Sequence, residues 1–250
     1  GIVVHLSAGM AALASVFIVG KRVVVPGQKF APHNLAYMAL GTGLLWFGWF
    51  GFNGGSALAA NGVAAVAFVN TNVAAAAGMV VWLLMAWWRT GKASVSGAMT
   101  GAVAGLATVT PAAGYVPPDA AVIIGVLAGL VCYGAVQFRL RRDWDDALDV
   151  WGVHGVGGAL GTLLTGVFAI TAINGVKGLL AGNLHQFGAQ VAGVAIAALY
   201  AFVVTYGILK VVNVITPVRV TAAVEEKGLD EELHGEAAYD LPAMSSGVMD

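Results

Sequence analysis

Long apolar stretches separated by short polar connections dominate the hydropathy pattern of this 250-residue chain. A helix needs about 20 apolar residues to cross the hydrocarbon core of a bilayer. Seven stretches of roughly that length occur, at residues 1–20, 36–57, 63–88, 95–113, 119–138, 150–171 and 187–213. The pattern predicts an all-α polytopic membrane protein, with a helical bundle over residues 1–214 and a polar C-terminal tail over residues 215–250.

The basic residues of the connections concentrate on one side of the predicted bundle. Alternate connections and the tail hold Lys21, Arg22, Lys29, Arg89, Lys92, Arg139, Arg141, Arg142, Arg219 and Lys227, whereas the opposite connections hold only Lys177. Cytoplasmic loops of membrane proteins are enriched in Lys and Arg. We therefore expect a multi-pass protein of the inner (plasma) membrane, with residue 1 outside and the C-terminus in the cytoplasm.

The composition argues against several classes of protein and several kinds of site. Hydrophobic residues make up 59% of the chain and charged residues 10%, against about 25% charged in a soluble domain. A net charge of −1 gives nucleic acid nothing to bind, and the lone Cys132 predicts neither a disulfide nor a thiolate metal site. No enzyme motif is recognisable, and we predict no cofactor or metal. The chain opens inside an apolar stretch without a charged leader, so we expect an upstream part to be missing.

Two histidines, His5 and His154, are the only ionisable residues deep within the apolar stretches apart from thiol and phenol groups. Such residues commonly mark a solute or proton pathway, although a histidine can also serve only to bond helices together. Burial disfavours the charged form, so both imidazoles should be neutral. Two facing neutral rings can share a hydrogen bond and keep one donor and one acceptor for a small polar solute or a proton.

Small residues follow both histidines along the chain. Gly9 comes one turn after His5, and Gly157, Gly161 and Thr165 recur at four-residue spacing after His154. In lipid, small residues let helix backbones approach closely. We expect a tight bundle, broken near Pro111, which removes a backbone donor from the stretch 95–113.

Aromatic residues cluster at the end of the second stretch, with Trp46, Phe47, Trp49, Phe50 and Phe52 preceding Ser56. Most of them are expected in an interfacial aromatic belt. The alternative is that one or two cap the outer mouth of a pore, where an aromatic face attracts a cation by about 0.5–2 kcal/mol. Ser56 could accept a hydrogen bond from such a cation.

Several motifs resemble the Amt/Mep/Rh ammonium transporter family, on its bacterial Amt side, over nearly the whole chain. They are Val-Val-His at 3–5, Gly-Trp-Phe-Gly-Phe-Asn-Gly-Gly-Ser at 48–56, Ala-Phe-Val-Asn-Thr at 67–71, Thr-Pro-Ala-Ala-Gly at 110–114, Asp-Val-Trp-Gly-Val-His-Gly at 149–155, Gly-Leu-Asp at 228–230 and His-Gly-Glu-Ala-Ala-Tyr at 234–239.

The resemblance implies a trimer of eleven-helix subunits, each built from two inverted five-helix repeats and a final long helix. This chain would hold the last helix of the first repeat, the whole second repeat, the final helix and the tail. The family's other gating phenylalanine, its recruitment tryptophan and an acidic residue would lie upstream. Residues 1–250 alone are then expected not to transport.

The resemblance also implies site residues. His5 and His154 match the twin pore histidines, Phe52 the inner gating phenylalanine and Ser56 the outer ammonium-site hydroxyl, and Val150 a pore-lining position on the inner side. Trp49 is predicted as a further pore residue. The tail resembles the segment that contacts PII-type nitrogen-signalling proteins, through Gly228, Asp230, His234, Gly235, Glu236 and Tyr239.

The predicted function is ammonium conduction, with methylammonium as a substrate analogue. Ammonium would be held outside, lose its proton at the Phe52 constriction and cross as ammonia past the histidines. The first alternative is an ammonium sensor or signalling subunit that acts through its tail. A haem-binding redox protein is a weaker alternative, because four-helix cytochromes usually offer both axial histidines on one helix.

Overall fold

The computed structural model describes residues 1–24 and 32–237, and these are helical without any strand. Seven long helices occupy the predicted stretches. They are α1 Ile2–Val19, α2 Leu35–Gly55, α3 Gly62–Thr90, α4 Val95–Val109, α5 Pro118–Arg141, α6, which joins Trp151–Gly155 to Val156–Phe168, and α7 Leu184–Ile215. Four short helices lie at Thr171–Asn174, Leu179–Ala181, Ala222–Lys227 and Asp230–His234.

Length and apolar composition make five of these helices, α1, α2, α3, α5 and α7, candidates to cross a membrane. The expectation of seven stretches of similar length is wrong for α4, which is helical for only 15 residues. Pro111 lies just beyond its end and cannot supply the next helical N–H. The remaining predicted helix, α6, is rich in glycine and threonine, which lowers its hydropathy.

Short polar side chains begin most of the long helices. The side-chain oxygens of Asn34, Asn61, Ser94 and Asn183 each accept a hydrogen bond from a backbone N–H of the first turn of α2, α3, α4 and α7 respectively. Such caps satisfy donors that have no partner inside the helix. α5 instead begins at Pro118, which has no N–H to satisfy.

The most densely packed part of the bundle is α3 against α4 and α5. Ten of the 15 residues of α4 are buried, and most of them are glycine or alanine. α7, by contrast, contains no buried residue and packs mainly along α1 at the periphery. The predicted tight packing through small residues is confirmed for this core.

The expected break after α4 lies in the interior of the bundle. The segment 110–116 forms turns, and Ala112, Ala113 and Val116 are buried within it. The Asn70 side-chain amide of α3 donates to the Ala113 and Val116 carbonyls at 2.8 and 2.7 Å. Non-helical backbone at membrane depth is tolerated where protein partners satisfy it in this way.

α1 crosses α6 at Gly9 and Gly155. A Cβ added at Gly9 would lie 2.1 Å from the Gly155 Cα, whereas a Cβ added at Gly155 would lie 3.2 Å from the Gly9 Cα. The first distance demands movement of backbone, and the second demands an adjustment of a few tenths of an ångström. The two helices therefore touch through bare backbone immediately beside the histidines.

Gly9→Ala is predicted to destabilise the folded protein more than Gly155→Ala, since only the former forces two backbones apart. Overpacking of this kind costs about 1–3 kcal/mol. Thermal unfolding in detergent would measure the order of the effects. Gly207→Ala on α7 is the matched control, because nothing lies within 4 Å of its added Cβ. Equal stability of the Gly9→Ala and Gly207→Ala variants would contradict the prediction.

Candidate functional site

His5 and His154 occupy the same position in two equivalent turns. α1 opens with the π-helical turn Ile2–Leu6 and α6 with the π-helical turn Trp151–Gly155, and each histidine is the fourth of five residues. π-helical turns are rare and often occur at functional sites. This shared geometry is what two equivalent helices of an internal repeat would give.

The two imidazoles face each other across the contact between α1 and α6. Their Nδ1 atoms lie 3.0 Å apart, within hydrogen-bond distance, and the ring centroids are 5.2 Å apart with planes inclined by 26°. His5 is buried, with 3% of its surface exposed, and His154 is partly buried. One Nδ1 must carry the shared proton and the other must accept it.

Two aromatic side chains of α2 complete one side of the pair. The Trp49 ring stacks on the His5 ring at 5.3 Å between centroids and 14° between planes. The Phe52 ring lies 5.9 Å from His5 and 5.7 Å from Trp49. The suggestion that Trp49 belongs to an aromatic belt or an outer mouth does not fit this position, because its ring is buried against a histidine.

Thr110, at the end of α4, is a neighbour of the pair that sequence reasoning did not select. Its hydroxyl lies 3.3 Å from His5 Nε2 and accepts a hydrogen bond of 2.9 Å from Trp49 Nε1. The sequence identified Thr110-Pro111 as a helix break and as part of a family motif, but not as a neighbour of the histidines. The available signal was a hydroxyl residue at the point where an apolar helix stops, since a break brings polar groups to the interior.

Ser56 and Val150 lie further along the helices that carry Phe52 and His154. Ser56 follows α2 by one residue, and its hydroxyl donates to the Phe52 carbonyl at 2.7 Å. The Ser56 oxygen therefore keeps its acceptor capacity on an exposed surface. Val150 immediately precedes the Trp151–Gly155 turn, four residues before His154, and is partly buried.

A cavity of about 480 Å³ opens beside His5. Its lining consists of Val4, His5, Gly41, Leu44, Leu45, Gly48, Trp49 and Phe52. No carboxylate is among these residues, so an ion entering the cavity would lose water without gaining an opposite charge. Within the described ranges, no three His, Cys, Asp or Glu side chains gather where they could hold a metal. The chemistry of the cavity suits a small neutral molecule.

Comparison with known proteins identifies the family. The family model described as Ammonium Transporter Family matches residues 1–239. The chain belongs to the ammonium transporter family. It is 46% identical over 242 residues to the ammonium transporter of Bacillus subtilis (strain 168), and 46% identical over 239 residues to the ammonium transporter Amt1 of Archaeoglobus fulgidus.

Solved structures of this family share the fold. Mep2 of Saccharomyces cerevisiae matches with a TM-score of 0.82 at 38% identity, covering 88% of this chain and 52% of that protein. A protein described as Sensor Amt Protein matches with a TM-score of 0.83 at 32% identity, covering 93% of this chain and 58% of that protein. The predicted all-α membrane fold is thereby confirmed.

The chain spans only part of these relatives. It covers 59% of the Bacillus subtilis protein and 61% of the Archaeoglobus fulgidus protein, while 96% of the chain itself is matched in each case. This agrees with the prediction that the chain is part of a longer ammonium transporter sequence.

Away from the histidines, three polar segments meet at one face of the bundle. Lys21 and Arg22, after α1, form ion pairs with Asp143 and Asp145 of the connection before α6. Glu225 of the tail pairs with Arg219 at 2.9 Å and accepts a hydrogen bond from the Val23 N–H at 2.6 Å. These contacts place three connections that were predicted on the same side at one face of the bundle. Their cytoplasmic location stays a prediction.

The same face holds the beginning of α6. Buried Asp146 accepts a hydrogen bond from the Trp151 N–H at 2.8 Å, and Arg139 forms an ion pair with Asp149. Asp149 has a left-handed backbone with φ 55° and lies two residues before the turn Trp151–Gly155 that carries His154. Burial raises the pKa of the Asp149 carboxyl, while the Arg139 guanidinium opposes that change. The connection between α5 and α6 is thus held by ion pairs at Asp145 and at Asp149.

The predicted partner-binding residues lie in the tail, apart from the histidine pair. Gly228, with φ 110°, ends the helix Ala222–Lys227, and Asp230 and His234 begin and end the next short helix. Gly235 follows with φ 70°, and Glu236 is exposed. Tyr239 lies outside the described residues. The structure does not bring any of the described members of this set to the histidines, and their partner remains a prediction.

The lowered pKa values of Glu225 and Asp145 make the stability of the contacts at this face depend on pH. The Val23 N–H and Arg219 hold the pKa of Glu225 below its usual range, and the Arg22 guanidinium does the same for Asp145. Folded-state pKa values that lie below the unfolded values give stability that is present above the unfolded pKa, near 4. That stability is lost as the pH falls through the folded pKa.

Glu225→Ala is predicted to loosen the tail at neutral pH, because both the Arg219 pair and the Val23 acceptor are removed. Hydrogen exchange at the Val23 amide should become several-fold faster, and wild-type protein should show the same change only below about pH 4. Glu226→Ala is the control, since this neighbour has the same charge and is exposed. Equal exchange in both variants would exclude the proposed role of Glu225.

Proposed function

We propose that this protein takes ammonium from one side of a membrane and conducts its nitrogen as ammonia past His5 and His154. The observation that carries the proposal is the imidazole pair, in which His154 is bonded to His5 and the His5 ring lies beside Phe52 at the wall of an apolar cavity. A neutral imidazole pair offers hydrogen bonds to a small polar molecule without presenting a net charge. Relatives named as ammonium transporters support the same substrate.

Selectivity follows from the contrast between Ser56 and the cavity. At Ser56 an exposed hydroxyl oxygen can accept a hydrogen bond from ammonium, and aromatic faces can add cation–π attraction of about 0.5–2 kcal/mol. Beyond the Phe52 ring the lining is apolar, where burying an uncompensated charge is very costly. Ammonium can give a proton to water at the exposed Ser56 surface and enter as ammonia. Potassium has no proton to lose, so the same lining excludes it.

The surroundings of the site support further parts of the proposal. α2 and α7 present large apolar side chains outward, as expected of contact with lipid or with another copy of the chain. We propose that the protein spans the inner membrane with its tail in the cytoplasm, and that it forms a homotrimer. The tail would contact a PII-type signalling protein through Gly228, Asp230, His234, Gly235, Glu236 and Tyr239, and Val150 would line the inner part of the pore.

A signalling role through the tail is the second candidate. Its support is the likeness to the protein described as Sensor Amt Protein and the ion pairs that join the tail face to the connection before α6. The names of the curated relatives favour transport. Uptake of methylammonium by proteoliposomes that contain the intact protein would separate the two, because a sensor without conduction would give none.

Replacing both His5 and His154 with alanine in the intact protein is predicted to lower methylammonium uptake by about tenfold or more, since two or more neutral hydrogen bonds of about 1 kcal/mol each are lost. Selectivity against potassium should fall as well, because water fills the vacated space. His185→Ala is the control, since this histidine is exposed at the start of α7. Unchanged uptake and unchanged selectivity in the double variant would remove the histidines from the mechanism.

A further inference from the structure

The hydroxyl of Thr110 makes three contacts and has only one proton to give. It lies 2.8 Å from the Leu106 carbonyl, 2.9 Å from Trp49 Nε1 and 3.3 Å from His5 Nε2. A carbonyl can only accept and an indole N–H can only donate. The first two contacts therefore have fixed directions. The hydroxyl donates to Leu106 and accepts from Trp49 at distances typical of good hydrogen bonds.

The third contact then has a direction as well. With its proton on the shorter bond to Leu106, the Thr110 oxygen can only accept from His5, so His5 Nε2 must carry a proton. A neutral imidazole carries one N–H, which leaves His5 Nδ1 bare. Since the two Nδ1 atoms are 3.0 Å apart, the proton between them belongs to His154.

We propose that Thr110 is a positioning residue that sets the tautomers of the pair, with the proton on Nε2 of His5 and on Nδ1 of His154. The order of donors runs from His154 through His5 to Thr110 and ends at the Leu106 carbonyl. Nε2 of His154 is then the one unprotonated imidazole nitrogen that accepts no bond within this order, since the bare Nδ1 of His5 accepts from His154. The tautomer order stands on the geometry alone, whereas its meaning for conduction rests on the function proposed above.

This order makes the two histidines chemically unequal. His154 keeps one acceptor nitrogen, Nε2, outside these bonds, whereas both nitrogens of His5 are engaged within the protein. The opposite order requires the Thr110 hydroxyl to turn away from Leu106 and donate to His5 Nε2. Any relay of a proton along the pair therefore needs that rotation, and Thr110 would influence conduction without touching the solute.

Nitrogen-15 spectra of histidine-labelled intact protein in lipid nanodiscs test the order directly, because protonated and bare imidazole nitrogens differ in chemical shift. His33, His185 and His234 are first replaced with glutamine to leave the two rings of interest. We expect an Nε2–H signal from His5 and an Nδ1–H signal from His154 with coupling across the shared bond. The reverse assignment in this protein would overturn the proposal without the need for any change at Thr110.

Variants at Thr110 test its role. Thr110→Val removes the acceptor and should raise the population of the reverse order several-fold, while Thr110→Ser should keep the wild-type order. Thr100→Val is the matched control, because Thr100 on the same helix also donates its hydroxyl to the carbonyl four residues earlier. An unchanged tautomer order in Thr110→Val, or an equal shift in Thr100→Val, would refute the assignment.

Methylammonium uptake measured on the same samples separates the two proposals. Uptake that changes in Thr110→Val and is restored in Thr110→Ser supports a link between tautomer order and conduction. An absence of uptake by the otherwise unaltered protein, together with the expected tautomers, would contradict the proposed function and leave the role of Thr110 intact.

Discussion

The candidate site depends on the close crossing of α1 and α6, where Gly9 and Gly155 bring two backbones into contact. Side chains at this point would hold the helices apart, and the Nδ1 atoms of His5 and His154 could not approach to 3.0 Å. In lipid there is no hydrophobic drive between apolar helices, so close packing and hydrogen bonds must hold them together. Gly9 and Gly155 provide the close packing, and the imidazole pair provides a hydrogen bond.

A second layer holds the pair in one orientation. α2 supplies Trp49, which stacks on His5, and α4 ends at Thr110, which accepts from Trp49 and faces His5. The end of α4 therefore has a use beyond turning the chain, since it places a hydroxyl where a continued helix would present an apolar side chain. Asn70 satisfies the carbonyls released by the same break. The end of α4 is thus stabilised by Asn70 and also places Thr110 beside the histidine pair.

Much of this could be predicted from the sequence because membrane burial enforces long apolar helices. The helical stretches and the small-residue contacts follow from hydropathy and spacing, whereas the pairing of the two histidines was expected from the family resemblance. The place of Trp49 could not be predicted in this way, because a buried indole and an interfacial indole look alike in a string of aromatics. Thr110 was missed for a related reason. Its contacts join residues of α1, α2 and α4, and no pattern within one helix encodes them.

Hydrogen bonds and ion pairs at the polar face constrain the beginning of α6. Asp146 accepts from the first turn of this helix, Arg139 holds Asp149, and Arg22 holds Asp145. Arg22 and Arg139, two of the basic residues from which the orientation of the chain was predicted, thus also order the connection before His154. Because α6 is fixed at this face and again at Gly155, His154 has little freedom to move along the helix axis. The position of the imidazole pair is therefore set by backbone contact on one side and by ion pairs on the other.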